Sequence, residues 1–116
     1  MSAEELAFER NPAFKTARDE SSSLPKFEKS SDNPTNEQLL LLYALFKIGK
    51  GDDITKAPSV GMFQIQQKHM RAEWQKKVDE GVTQEAAQQL YIEEVEKMKK
   101  DVAEKIAKGC KVKEGN

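Results

Sequence analysis

Thr35-Asn36-Glu37-Gln38-Leu39-Leu40-Leu41-Leu42-Tyr43-Ala44-Leu45-Phe46-Lys47 is the stretch whose pattern decides the architecture of this chain. Its first four residues fit a capping box, in which the Thr35 hydroxyl and the Gln38 amide satisfy orphan backbone donors reciprocally. Leu39, Leu42, Tyr43 and Phe46 follow at i, i+3, i+4 and i+7, and Leu40, Leu41, Ala44 and Leu45 fill most of the remaining circumference. A helix apolar nearly all round must be covered on more than one side. This one is therefore central, or it borders a ligand. Gly49-Lys50-Gly51-Asp52-Asp53 stops it, and Ala57-Pro58-Ser59 continues the loop.

Downstream, the spacing predicts another helix from near Met62 to Glu80, with Met70, Trp74 and Val78 four apart on one face and Gly81 as its stop. Thr83 caps the last helix, whose stripe is Ala87, Tyr91, Val95, Met98, Val102 and Ile106 and whose end falls at Gly109. Upstream, Lys26 to Asn33 is polar and reads as a loop. Phe14, Ala17 and Ser21 recur at helical spacing and predict a short first helix around 12–22, closing near Leu24-Pro25, although Ser21, Ser22 and Ser23 are poor helix residues. Residues 1–12 show little sustained periodicity and read as a loose extension or a frayed leading turn. There is no strand signal and no repeat. The expected organisation is an N-terminal extension over 1–12, a helical domain over 13–108 and a tail over 109–116.

With 116 residues, the chain is one domain that buries roughly two-thirds of its unfolded surface, enough for one core but not for a deep enclosed cavity as well. Charged residues make up 34% of it at a net charge of −1. That balance gives no whole-molecule attraction to nucleic acid or an anionic membrane, so any anion site must be built locally. The single cysteine, Cys110, cannot close an internal disulfide, which favours a reducing compartment. Met1 to Arg10 is acidic without an apolar segment, which gives no secretory signal. The longest apolar run, Leu39 to Phe46, is far short of the ~20 residues of a membrane span. A cytoplasmic protein is the expectation.

Catalytic chemistry finds little footing. His69 is the single histidine, and its nearest acid on the same helix is Glu73, so an isolated exposed histidine is the better reading. Lys108, Lys111 and Lys113 surround Cys110 and would favour its thiolate, but a nucleophile in a tail has no pocket to work in. The run Gly49-Lys50-Gly51-Asp52 leaves a helix rather than opening one, so the geometry of a phosphate-cradling loop fails. Asp52-Asp53 lacks further spaced oxygen ligands for calcium, and no Cys/His set supports zinc. No metal or cofactor is expected. A different group stands out: Tyr43, Phe46 and Lys47, together with Tyr91. Tyrosines that interrupt aliphatic stripes often bring a hydroxyl to the edge of a core. A lysine beside two aromatic rings also suits a phosphorylated, ring-bearing ligand.

The same residues carry a resemblance. Pro34 through Lys47, then Gly51-Asp52 and Pro58, resembles the signature of the acyl-CoA-binding protein family. Lys68, Trp74, the segment Thr83-Gln84-Glu85-Ala86-Ala87-Gln88-Gln89-Leu90-Tyr91-Ile92 and Val95-Glu96 continue it in order, and Phe14, Ala17 and Leu24-Pro25 fit the family's first helix. The likeness covers roughly Phe14 to Lys105. It implies a four-helix up-down-down-up bundle that binds fatty acyl-CoA non-covalently and is not an enzyme. Tyr43 and Lys47 match positions that contact the nucleotide and its 3′-phosphate, with Phe46 beside the same site. Tyr91 matches a further ligand contact, Lys68 a basic position near the phosphates, and Leu39 and Leu40 the lining of the acyl groove. A monomer follows, with transient delivery of its ligand to membranes or to acyl-CoA-using enzymes.

Three departures bear on the site. Met70 falls where a phosphate-binding lysine is expected, so that charge is lost or is supplied by Lys68 or by Arg71, a forked donor if it turns inward. Arg71 itself replaces the first of two tryptophans, leaving Trp74 as the second, and Phe46 replaces a tyrosine. Two other classes remain open: a helical protein-interaction module that docks a partner helix on Leu39 to Phe46, and a small hydrolase or transferase using Cys110 and His69.

Overall fold

The computed structural model describes residues 1–58, 60–61 and 64–114. Among these described residues five helices follow one another: α1 (Ala3–Arg10), α2 (Pro12–Ser23), α3 (Asn36–Gly49), α4 (Ile65–Asp79) and α5 (Gln84–Ala107), with short 3-10 turns at Ser30–Asp32 and Ile54–Lys56. The chain is all-α, as expected, and its packing is compatible with an up-down-down-up bundle over α2–α5. Helix α3 packs against both α4 and α5, and α2 lies on α5. That placement answers the apolar circumference of α3, whose Leu42, Ala44, Leu45 and Ile48 are all buried. Its capping box forms as predicted, with the Gln38 backbone N–H donating to Thr35 Oγ1 at 3.2 Å. No helix among the described residues is long and apolar enough to cross a membrane.

Helices α2 and α5 hold the centre of the core. Phe14 and Val95 are fully covered, and Ala87, Tyr91 and Met98 continue the α5 stripe until it fades at Ile106, which is half exposed. Burying a side chain the size of Phe14 contributes roughly 1.5–3 kcal/mol. The three serines that end α2 turn their hydroxyls back onto Arg18 and Asp19 carbonyls, so the last turn keeps its helical form despite poor propensity. Helix α4 differs from its predicted face. Trp74 is buried, but Met70 is half-buried and Val78 exposed, because α4 packs chiefly on α3. The expected start of that helix at Met62 lies outside the described residues, and the helix begins at Ile65.

Both ends of the chain are more ordered than the sequence suggested. Where the sequence suggested a loose extension or a frayed leading turn, residues 3–10 form a helix with its own capping box between Ser2 and Glu5, and Ala7 is buried. Its Phe8 ring lies 5.5 Å from Phe14, and the Arg18 guanidinium covers the Phe8 ring at 4.8 Å. At the far end, Val112 pairs with Phe27 as an isolated antiparallel bridge, through Glu28 N–H to the Lys111 carbonyl and Lys113 N–H to the Lys26 carbonyl. Asn33 clamps Phe27 from the other side by bonding both its N–H and its carbonyl. The polar loop of residues 26–33 is thus fixed from two directions around one buried ring.

Candidate functional site

Helix α3 carries Tyr43 and Lys47 one turn apart, so both project from the same face. That face meets α4 at Trp74. The Tyr43 and Trp74 rings stand edge to face, 6.4 Å apart at 86°. The Lys47 ammonium lies 5.6 Å from the Tyr43 centroid and 5.4 Å from that of Trp74. Rings at this range attract a cation through their negative faces. The Trp74 indole N–H has no hydrogen-bond partner among the described residues.

The end of α3 adds a second layer. Gly51 adopts φ 87°, the left-handed conformation of a helix stop that disfavours any side chain. Its N–H bonds the Ile48 carbonyl and the Asp52 N–H reaches back to that of Lys47, which together make a Schellman motif. The turn folds Asp52 onto the helix it has just left. Asp52 Oδ2 accepts from Lys47 Nζ at 3.2 Å and pairs with Lys50 Nζ at 3.3 Å. Lys50 in turn covers the Phe46 ring at 5.3 Å.

Phe46 faces inward from there. Its ring meets Phe14 and Tyr91, each at 5.6 Å, and Phe8 at 6.4 Å. Tyr91 is only 4% exposed, so its ring is core and its phenol alone reaches a polar group, Ser21 Oγ at 3.0 Å. Burial pushes the Tyr91 phenol above its ordinary value, against the Ser21 hydrogen bond and the Arg18 charge, which pull it down.

The remaining expected residues fall elsewhere. Lys68 and Arg71 border a wide, open hollow with Val60, Ala72 and Gln75. Arg71 does not offer a free fork: its two terminal nitrogens donate to the Ile54 and Pro58 carbonyls, both at 3.3 Å, and so hold the loop that follows α3. Leu39 is 48% exposed and lines a groove of about 340 Å³ with Leu24, Phe27, Met98 and Val102, in which Lys26, Asp32 and Asp101 also take part. Leu40 is half-buried on the adjoining turn. His69 is exposed on α4, Cys110 is half-buried just beyond α5, and no hydrogen bond or ion pair joins them.

Tyr43 and Lys47 therefore meet as expected, with Trp74 as their shared partner, and Phe46 meets Tyr91. Phe8 and Lys50 were not singled out from the sequence as site residues, and Asp52 was read there only as part of the helix stop and of the family signature. Lys50 and Asp52 had a signal, since a lysine three residues after Lys47 followed by Gly-Asp places a cation and an anion on the closing turn. Phe8 had none, because its neighbours come from other helices.

The family described as Acyl CoA binding protein matches residues 11–95 of the chain. Among curated proteins, "Acyl-CoA-binding protein homolog 1" of Caenorhabditis elegans is 38% identical over 81 residues, 69% of this chain and 87% of that protein. No solved structure matches. Helix α1 lies wholly ahead of the matched span, whereas Tyr43, Lys47, Trp74 and Tyr91 fall inside it. With most of its length covered by the family and a curated relative above one-third identity, the chain belongs to the acyl-CoA-binding protein family.

Proposed function

We propose that this protein binds medium- to long-chain fatty acyl-CoA esters non-covalently and carries or buffers them in the cytoplasm, as a monomer that releases them transiently to membranes or to acyl-CoA-using enzymes. Membership of the family implies the acyl-CoA binding itself. The observation that carries the reading is Lys47, an ammonium held over the rings of Tyr43 and the buried Trp74, where a nucleotide would find a positioned charge beside the half-buried Tyr43 ring. Tyr43, Phe46, Lys47 and Lys68 serve the head, with Arg71 acting through the loop it holds and Tyr91 supporting Phe46 from beneath. Leu39 and Leu40 serve the tail, beside the groove that Leu24, Phe27 and Met98 line. Residues 13–108 form the binding unit.

The energetics suit such a ligand. Each buried methylene contributes about 0.8 kcal/mol, so a dozen give on the order of 10 kcal/mol before the costs of association and ordering. No bond is made or broken, and no general base is required.

Calorimetry with palmitoyl-CoA, free CoA and palmitate tests this reading. Tight one-to-one binding of the ester, with both fragments much weaker, is expected. Binding of palmitate as tightly as the ester would show a groove without a nucleotide site. Binding of none of the three would leave a helical interaction module as the function of the fold.

A further inference from the structure

We infer that Lys50 is a second ligand cation of this site, closing with Lys47 on a single phosphate, and that Asp52 is the internal counter-anion which that phosphate displaces. The inference rests on the reading of Lys47 as the contact to the ribose phosphate.

The geometry is a shared oxygen. Lys47 Nζ and Lys50 Nζ lie 3.2 and 3.3 Å from the same atom, Asp52 Oδ2. A phosphate whose oxygens diverge from one centre can replace that oxygen and meet both ammoniums. Each cation is also steered by rings, Lys47 by Tyr43 and Trp74 and Lys50 by Phe46. The Lys47 and Lys50 side chains are 25% and 19% exposed and that of Asp52 is 30%, so their attractions are screened less than those of open surface charges.

Charge explains why one lysine is not enough. The C-terminal end of a helix carries roughly half a negative elementary charge, and α3 ends here. An anion arriving at this end meets that partial charge, which cancels about half of one ammonium. A second cation restores a positive site. Asp52 is itself disfavoured at a helix C-terminus and is held there by the Schellman turn and by the two lysines. It keeps both ammoniums facing one point while no ligand is bound, and it gives way to a stronger anion. On α4, Met70 brings no charge, and the Arg71 guanidinium is turned onto the Ile54 and Pro58 carbonyls.

The test is calorimetry of wild type, Lys50→Met, Lys50→Arg and Asp52→Asn with palmitoyl-CoA and with palmitoyl-3′-dephospho-CoA, each at low and high salt. Lys50→Met should weaken palmitoyl-CoA about tenfold, as expected for loss of a charge-assisted contact. It should leave the dephospho ester within about twofold, and Lys50→Arg should restore binding. Asp52→Asn should tighten palmitoyl-CoA about threefold or more and steepen its salt dependence, because the internal competitor is gone. A purely structural ion pair predicts the opposite for Asp52→Asn, and an equal loss for both esters in Lys50→Met. Either result overturns the inference. Unchanged binding by Lys50→Met, with wild type still tight, overturns it while leaving the acyl-CoA reading intact. Wild type that binds neither ester overturns both.

Discussion

The Gly49 carbonyl and the Gln88 side-chain amide meet at 2.8 Å, joining the last residue of α3 to the first turns of α5 inside the core. Gln88 is 7% exposed, and its other amide atom accepts from Asn11 Nδ2 at 2.9 Å. Asn11 also caps α2 through Phe14 N–H. One buried side chain therefore ties the α1–α2 junction, the end of α3 and α5 together. Glycine is needed on α3 for this closeness, since a Cβ at position 49 would fall 2.8 Å from Phe14 Cζ.

Gln88→Ala should destabilise the protein by about 1–3 kcal/mol, from two lost hydrogen bonds and the volume left behind. The Gly49 carbonyl keeps one partner, Gln84 Nε2 at 3.1 Å, which moderates the loss. Gln88→Met keeps most of the volume and should recover the packing share only. Equal denaturation midpoints for all three proteins would show that the bridge contributes nothing.

Raising pH should expose the burial of Tyr91. An unfolded tyrosine titrates near 10, whereas burial holds the folded phenol higher, so between the two values the native state binds the extra proton. The stability this represents is fully present below about pH 10 and is lost as pH rises through the folded value. Alkaline titration should show a late phenolate absorbance that disappears in Tyr91→Phe. A late signal that persists in Tyr91→Phe would refute the assignment.

How far these features could be read in advance depended on whether the deciding contacts are local. Thr35 and Gln38 announce α3 because a capping box is complete within four residues, and Gly51, Gly81 and Gly109 mark helix ends for the same reason. Ser2 and Glu5 are also a capping box, yet α1 is short and amphipathic only weakly. What holds it is Phe8 on Phe14 and Arg18 on Phe8, contacts made with the next helix. The Phe27–Val112 bridge joins segments far apart in sequence, and neither alternates like a strand. In the site, Tyr43 and Lys47 were legible from helical spacing, while the place of Lys47 over Trp74 required α3 and α4 to be packed. Arg71 shows the limit most clearly. Its residue type suits a phosphate, but the nearest acceptors the fold presents are loop carbonyls.

Thr35→Ala should lower stability by about 0.5–2 kcal/mol, the usual range for losing a helix N-cap. The Thr35 hydroxyl accepts from Gln38 N–H, and the Gln38 side chain accepts from Thr35 N–H at 3.0 Å. Thr35→Ser keeps both bonds and should melt close to wild type. A Thr35→Ala protein as stable as Thr35→Ser would mean that the end of α3 is held by packing alone.

Lys47→Ala and Tyr91→Ala should both weaken binding of palmitoyl-CoA, for different reasons that melting separates. Lys47 lies at the surface of the core, partly exposed, so its removal deletes a cation and little packing. Affinity should fall about tenfold or more, as for a lost charge-assisted contact, with a melting temperature near wild type. Tyr91 is enclosed by Phe14 and Phe46, and truncating a buried aromatic costs about 3–5 kcal/mol. Its binding loss should therefore come with a large drop in melting temperature, transmitted through Phe46 to Lys50 above it. Equal affinity of wild type and Lys47→Ala would defeat the assignment of Lys47. A stable Tyr91→Ala protein that still bound poorly would instead make Tyr91 a direct contact, reached by a ligand that opens the ring cluster.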